Sequence, residues 1–412
     1  MLKVLRWLLL LTLLLAGCGL LPTTASPTQP AAPAAGTSAT EAPASPALAP
    51  PASQTGVPAV SPSPSPSPSP TPIPRTVVRL GWSASLGGWI VDVAEAQGYV
   101  AAQNLTLDRK ETDPGSTAAA EDVDKRERDV GVVATDRLVQ VGRNGQGLVM
   151  IAGLVNKTVH TLIAARDVPD FEALKGKPVG YLDPKSGAAG ILKRIMAAKG
   201  ISEGQSRLIP FPDPGVVGAA VANGTVGASL VDPTRAARLR GSGFSPLIEA
   251  SEVVKEYQAE GLVVRPDWVR QNEEPVTRLL RAIVQAERWI ATPANRPAAV
   301  EQLAGSLGIS TAEATIAYEQ YVEKLGVISR EGEIDQAGVR GVIEVLGEVG
   351  AAPDPRPEAA RLTDTSLLQR IRPPGSAPAP ASASPSPAPL ASPSSSAPAS
   401  PAPSPAASPA PR

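Results

Sequence analysis

Trp82 and Trp89 bracket the segment Ser83-Ala84-Ser85-Leu86-Gly87-Gly88. An indole offers a broad apolar face and one N–H donor, so two of them around a loop can clamp a small organic molecule. Ser83 and Ser85 add hydroxyls, and Gly87 and Gly88 let backbone amides approach a ligand closely. The same residues also suit an ordinary glycine-rich turn, with Trp89 packed in the core. Covalent chemistry has less to work with. Cys18 is the only cysteine and His160 the only histidine in 412 residues, which excludes disulfides, thiolate catalysis and a Cys/His zinc site. His160 has no paired carboxylate nearby in sequence and reads as a polar surface or hinge residue. The expectation is a non-enzymatic protein without a cofactor.

A second candidate lies in Leu174 to Gly200, LKGKPVGYLDPKSGAAGILKRIMAAKG. Pro178 to Leu182 has the length and apolarity of a strand, and Asp183-Pro184-Lys185 breaks it. Ser186 is placed to cap the helix that follows, and Gly187 admits a close neighbour. Ile191, Leu192, Ile195 and Met196 recur on one helical face, Lys193, Arg194 and Lys199 fall on the solvated one, and Gly200 supplies the stop. A loop between strand and helix at the strand's carboxyl end is where open α/β sheets bind ligands, because free N–H groups collect there. Thr135 and Asp136 close another apolar strand, and Asp232-Pro233 another; each aspartate is also placed to cap the next helix.

The elements that must carry these loops alternate. Strand-like runs at Thr76–Trp82, Leu105–Leu107, Val130–Ala134, Leu148–Ala152, Thr161–Ala165, Leu208–Pro210, Ala228–Val231 and Gly261–Val264 are separated by helix-length patterns, which predicts an α/β chain with largely parallel sheet. From Val276 the pattern is helical: Val276–Ala291, Ala298–Ala304, Thr311–Glu323 and Gly338–Leu346. About 300 residues exceed a comfortable single core, so two lobes are expected.

The ends differ in composition. Residues 1–17 carry Lys3 and Arg6 ahead of Leu8–Leu15, the layout of an export signal. Leu15-Ala16-Gly17-Cys18 resembles the bacterial lipobox, which implies a lipidated Cys18 and an extracytoplasmic, membrane-anchored protein. From Pro22 to Arg75, proline, alanine, serine and threonine dominate, with Glu41 the one charge before Arg75; the composition repeats from Gly375 to Arg412. Such segments have almost nothing to bury and are expected to be disordered spacers. With 38 basic against 39 acidic side chains, no charge excess marks a nucleic-acid partner.

The order of short motifs resembles the extracytoplasmic solute-binding proteins of ABC importers in the nitrate, taurine, alkanesulfonate and thiamine-pyrimidine-precursor group. Those motifs are Val78-Arg79-Leu80-Gly81-Trp82, Gly98-Tyr99-Val100 through Asn104-Leu105-Thr106-Leu107, Asp129-Val130-Gly131-Val132-Val133, Leu174-Lys175-Gly176-Lys177-Pro178-Val179, and Asn223-Gly224-Thr225-Val226-Gly227-Ala228 with Asp232-Pro233. Two departures stand out: Gly227 replaces the usual Asp, and Glu121–Arg128 is charged where the group has an apolar helix. The resemblance implies a two-lobe type II periplasmic-binding-protein-like fold with a helical C-terminal part. Lobe one would be 76–163 with 262–350, lobe two 164–261, and 351–412 an extension disordered from about 373. It further implies a monomer that binds a small molecule between the lobes and works with a permease and ATPase. Trp82, Ser83, Ser85, Gly87, Trp89, Thr135, Asp136, Ser186, Gly187 and Asp232 would then line the crevice. Asp136 favours an amine or hydroxyl, whereas the helix start at Ser186 and Gly187 favours an anion; a zwitterion or neutral heterocycle reconciles them. The same fold used as a non-transport sensor or cell-envelope interaction module is the alternative.

Overall fold

Every residue of Val149–Val155 is buried, as a strand covered on both faces requires. It belongs to one of two five-stranded sheets in a computed structural model that describes residues 75–113, 115–142, 146–211 and 213–371. The expected signal segment, Cys18, the spacer short of Arg75 and the tail from 373 lie outside the described residues. Contacts divide the chain into Met1–Ser69 and Pro70–Arg412, and all described residues belong to the second unit.

In chain order the elements are β1 (Thr76–Trp82), α1 (Leu86–Ala96), α2 (Tyr99–Ala102), β2 (Leu105–Glu111), α3 (Ala118–Asp124), β3 (Val130–Ala134), α4 (Thr135–Val141), β4 (Val149–Val155), β5 (Thr161–Ala164), α5 (Phe171–Leu174), β6 (Val179–Leu182) and α6 (Gly187–Ala198). There follow β7 (Leu208–Phe211), α7 (Pro214–Ala222), β8 (Ala228–Val231), α8 (Pro233–Gly241), β9 (Pro246–Glu249), β10 (Glu260–Val264), α9 (Pro266–Gln271), α10 (Glu273–Ile290), α11 (Arg296–Leu307), α12 (Thr311–Ala317), α13 (Gln336–Glu348) and α14 (Ser366–Ile371).

The first sheet runs β2-β1-β3-β10-β4 and the second β7-β6-β8-β5-β9. In each, the first three strands are parallel and the last two pairings antiparallel. Four of the five strands in each sheet thus run the same way, as expected, and β10 and β5 are the reversed strands, entering from the opposite end. Lobe one is built on the first sheet and lobe two on the second. The chain crosses between them after Val155 and returns before Glu260, a few residues ahead of the expected junctions at 163/164 and 261/262. An apolar run in sequence carries no mark of which sheet it will join, so β5 was assigned to the wrong side.

Local chemistry explains the elements. On β1, Val78 and Leu80 face the core, while Arg79 forks onto Asp129 through Nη2–Oδ1 at 2.6 Å and Nε–Oδ2 at 3.1 Å, fixing β1 beside β3. The Ser310–Glu313 capping box opens α12. After Ala317 the helix rewinds into π geometry over Tyr318–Lys324, which points both Tyr318 and Tyr321 inward. The Tyr321 hydroxyl lies 3.2 Å from the Thr161 hydroxyl on lobe two. The extension is partly structured: Leu362, Leu367 and Leu368 are buried, and Asp364 donates its N–H to the Met150 carbonyl at 2.8 Å. Helix α13 spans the two lobes, packing on both α4 and α6, and one apolar cluster runs continuously from Leu138 and Met150 through α13 to Ile191 and Leu230.

Candidate functional site

Helix α1 begins against a carboxylate. Ser85 is its N-cap, with its Oγ accepting the Gly88 N–H at 3.1 Å. The same hydroxyl donates to Glu260 Oε2 at 2.9 Å, and the Gly87 N–H donates to that oxygen at 2.7 Å. A Cβ at 87 would lie 2.3 Å from Glu260 Oε2, so any larger residue there would push the carboxylate off the helix start. Glu260 reaches this position from the first residue of β10, in register with Ala134 on β3. Burial pushes its carboxyl above the usual range; the Ser85 and Gly87 hydrogen bonds oppose this, and the nearby Asp136 charge adds to it. A negative group at a helix start is favourable by about 0.3–1 kcal/mol, more when partly buried.

Helix α6 also begins against a carboxylate, here supplied by the other lobe. Asp136 Oδ2 accepts the Gly187 N–H at 2.9 Å, while its Oδ1 accepts the Arg137 N–H at 2.9 Å. Ser186 holds the cap position without making the cap bond: its hydroxyl donates to the Asp183 and Leu182 carbonyls at 2.7 and 3.3 Å. Two more ties join the lobes. Arg137 Nη2 pairs with Asp183 Oδ2 at 2.8 Å, and Gln140 Nε2 donates to the Lys185 carbonyl at 2.7 Å. Tyr257 completes this corner, its hydroxyl 2.1 Å from where a Gly187 Cβ would stand. Burial raises the phenol well above its ordinary pKa, the Asp136 charge reinforces that, and Arg137 and Arg194 oppose it.

The remaining expected residues fall in different places. Trp89 is fully buried, edge-on to Tyr318 with ring centroids 6.3 Å apart, and its N–H has no partner among the described residues. It is a core residue, because α1 starts at Leu86 and turns Trp89 inward with Ile90 and Val93. Trp82 is half-buried, donates Nε1–H to the Gly88 carbonyl at 3.1 Å and carries the Arg109 guanidinium 4.4 Å over its ring. The two indoles therefore do not form a clamp. Thr135 is buried with an unpartnered Oγ1, and its N–H reaches the Ala259 carbonyl at 2.9 Å. Asp232 caps α8 by accepting the Arg235 N–H at 3.0 Å, and it also pairs with the Arg235 guanidinium. His160 sits on the crossing between β4 and β5, not on an open surface. Burial lowers its pKa, with Asp232 and Asp136 pulling the other way.

Where β1 and β3 end, a cavity of about 20 Å³ remains, with Ser83, Thr112, Asp113, Ser116 and Glu260 in its lining. That volume admits roughly one water. A larger groove of about 510 Å³, lined by Met196, Ile201 and Leu208 among others, lies at the opposite end of α6 from Gly187. Among the described residues no group of three His, Cys, Asp or Glu is arranged to hold a metal. Sequence reasoning missed Glu260, Tyr257 and Arg137. The one signal for Glu260 was a lone carboxylate directly ahead of the apolar run Gly261–Val264.

The sequence matches the profile of the family described as NMT1/THI5 like over residues 90–296. Among curated proteins, none matches it. Solved structures share its fold. The putative periplasmic sulfonate-binding protein SsuA of an ABC transporter from Methylobacillus flagellatus KT superposes with a TM-score of 0.60 at 15% identity, over 72% of this chain and 94% of that one. The periplasmic nitrate-binding protein NrtA from Synechocystis PCC 6803 gives 0.55 at 16% identity, over 72% and 88%. The desulfurization enzyme DszB gives 0.56 at 16% identity, over 72% and 98%. The fold is that of the type II periplasmic binding proteins.

Proposed function

The chain belongs to the NMT1/THI5-like family, and from that membership we propose that it is a solute-binding receptor of an ABC importer. It captures a small organic solute at the junction of its lobes and performs no covalent chemistry on it. Acylated Cys18 holds it outside the cell, and it presents the solute to a permease and ATPase. One observation carries this reading. Helices α1 and α6, one from each lobe, both start at the junction, and their first N–H groups are engaged there by Glu260 and Asp136. Strand-end loops and helix starts meeting across two lobes are the places where such folds bind ligands.

Solute entry parts the three ties from Asp136, Arg137 and Gln140 to Gly187, Asp183 and Lys185. Asp183 and Lys185 are partly or fully exposed, so the Arg137 and Gln140 contacts contribute little each, and the buried Asp136–Gly187 bond is the main one that opening must break. The test is a thermal-shift and small-angle scattering screen of the full chain against amines, pyrimidines, sulfonates and nitrate. At least one class should raise the melting temperature and change the scattering profile; silence from every class overturns the receptor reading.

The junction being closed by the chain's own groups favours a second reading, a sensor or cell-envelope interaction module on the same fold. In that case the lobes stay latched, and scattering is unchanged by every solute while a protein partner is retained.

A further inference from the structure

The Glu260 carboxylate is only half used. Oε2 accepts both the Ser85 hydroxyl and the Gly87 N–H, whereas Oε1 has no hydrogen bond and the residue no cationic partner among the described residues. A largely buried carboxylate without a counter-charge is costly and calls for neutralisation. Asp136, whose charge reaches Glu260, adds a second negative group at the same junction. The starts of α1 and α6 are each already filled by a protein carboxylate.

An independent feature points to what is missing. Ser83 is more than nine-tenths buried and lines the cavity beside Glu260, yet its hydroxyl makes no hydrogen bond among the described residues. Asp113 lines the same cavity. Glu260, Ser83 and Asp113 all line this space of about 20 Å³, and each side chain carries an oxygen that can accept a hydrogen bond. An ammonium group is a three-donor cation of about that size, whereas a guanidinium or a trimethylammonium is too large.

Resting on the receptor reading, we propose that this cavity takes the primary ammonium head of an organic amine, with Glu260 as counter-ion and Ser83 as second acceptor.

Isothermal titration of the full chain with ammonium chloride, butylamine, butyltrimethylammonium, butanesulfonate and nitrate tests this. Butylamine binding, with at least tenfold weaker butyltrimethylammonium and no response to the anions, supports it; ammonium chloride competing with butylamine locates the head group. Glu260→Gln keeps an acceptor for Gly87 and should weaken butylamine at least tenfold. If that variant fails to fold, Ser83→Ala, which removes an unpartnered hydroxyl, should weaken butylamine severalfold in a protein of unchanged melting temperature. Binding of sulfonate or nitrate but not amine, or amine binding indifferent to both substitutions, overturns the ammonium assignment and leaves the receptor standing. No binding by any compound overturns this assignment, and silence across the wider solute screen overturns the receptor with it.

Discussion

Asp136 Oδ2 on lobe one accepts the backbone N–H of Gly187, the first residue of α6 on lobe two, at 2.9 Å. A helix of one lobe is thus capped by the other, and closing the lobes completes a helix terminus. Asp136→Ala should cost about 1–2 kcal/mol, the usual value of a cap. Urea denaturation measures that loss, and hydrogen exchange at Gly187 should rise well above that at Gly87, whose own carboxylate remains. Equal protection of the two amides in the variant refutes the cross-lobe cap.

Glycines on α13 predict the tightness of the crossing. A Cβ on Gly341 would lie 2.1 Å from the Glu256 carbonyl oxygen, on the segment that leads back into lobe one. Gly341→Ala should destabilise by roughly 2–3 kcal/mol, since backbone cannot yield as a side chain does. Gly305 in α11 is exposed, with nothing within 4 Å of its would-be Cβ. Gly305→Ala should stabilise by about 0.5–1 kcal/mol. Thermal melts of the two variants should move in opposite directions.

The single histidine gives a clean pH readout. Burial holds the His160 pKa below its ordinary 6.5, against Asp232 and Asp136. The unfolded chain therefore takes up the proton first as pH falls. His160 contributes its full stability above about pH 6.5, and that contribution declines as pH drops from there toward the folded pKa. A urea-midpoint series from pH 8 to 5 should show the decline, and His160→Gln should flatten it. Its imidazole resonance should titrate below pH 6.5; a midpoint above that value contradicts the assignment.

Trp89 should matter to the core and not to a solute. Trp89→Ala should cost about 3–5 kcal/mol, as for other buried aromatics. Binding by the folded fraction, followed by titration at low temperature, should be unchanged. A selective loss of affinity without loss of stability would return Trp89 to the site.

Much of this architecture was legible because buried strands and amphipathic helices announce themselves by period. Thr76–Trp82 and Val130–Ala134 were read with their observed bounds, and Val276–Ala291 came within a few residues of α10. Strand β9 was missed because it is short, starts at Pro246 and has an exposed end. The π winding at Tyr318 was missed because its register leaves no trace in a 3.6-residue pattern. Capping roles were harder still. Ser186 has the right residue type in the right place, yet the bond to Gly187 comes from Asp136, which is distant in sequence. Glu260 looked like the polar start of a strand; its role depends on β10 lying next to β3, a pairing that local sequence does not encode.

That pairing also dictates an order of events during synthesis. Strand β10 lies between β3 and β4 in the first sheet, yet it is made only after all of β5–β9. On the ribosome the amino-terminal strands must wait with a gap in their midst while the later, inserted sheet already has every strand it needs. The inserted half can therefore mature first, and the half begun earliest is finished last.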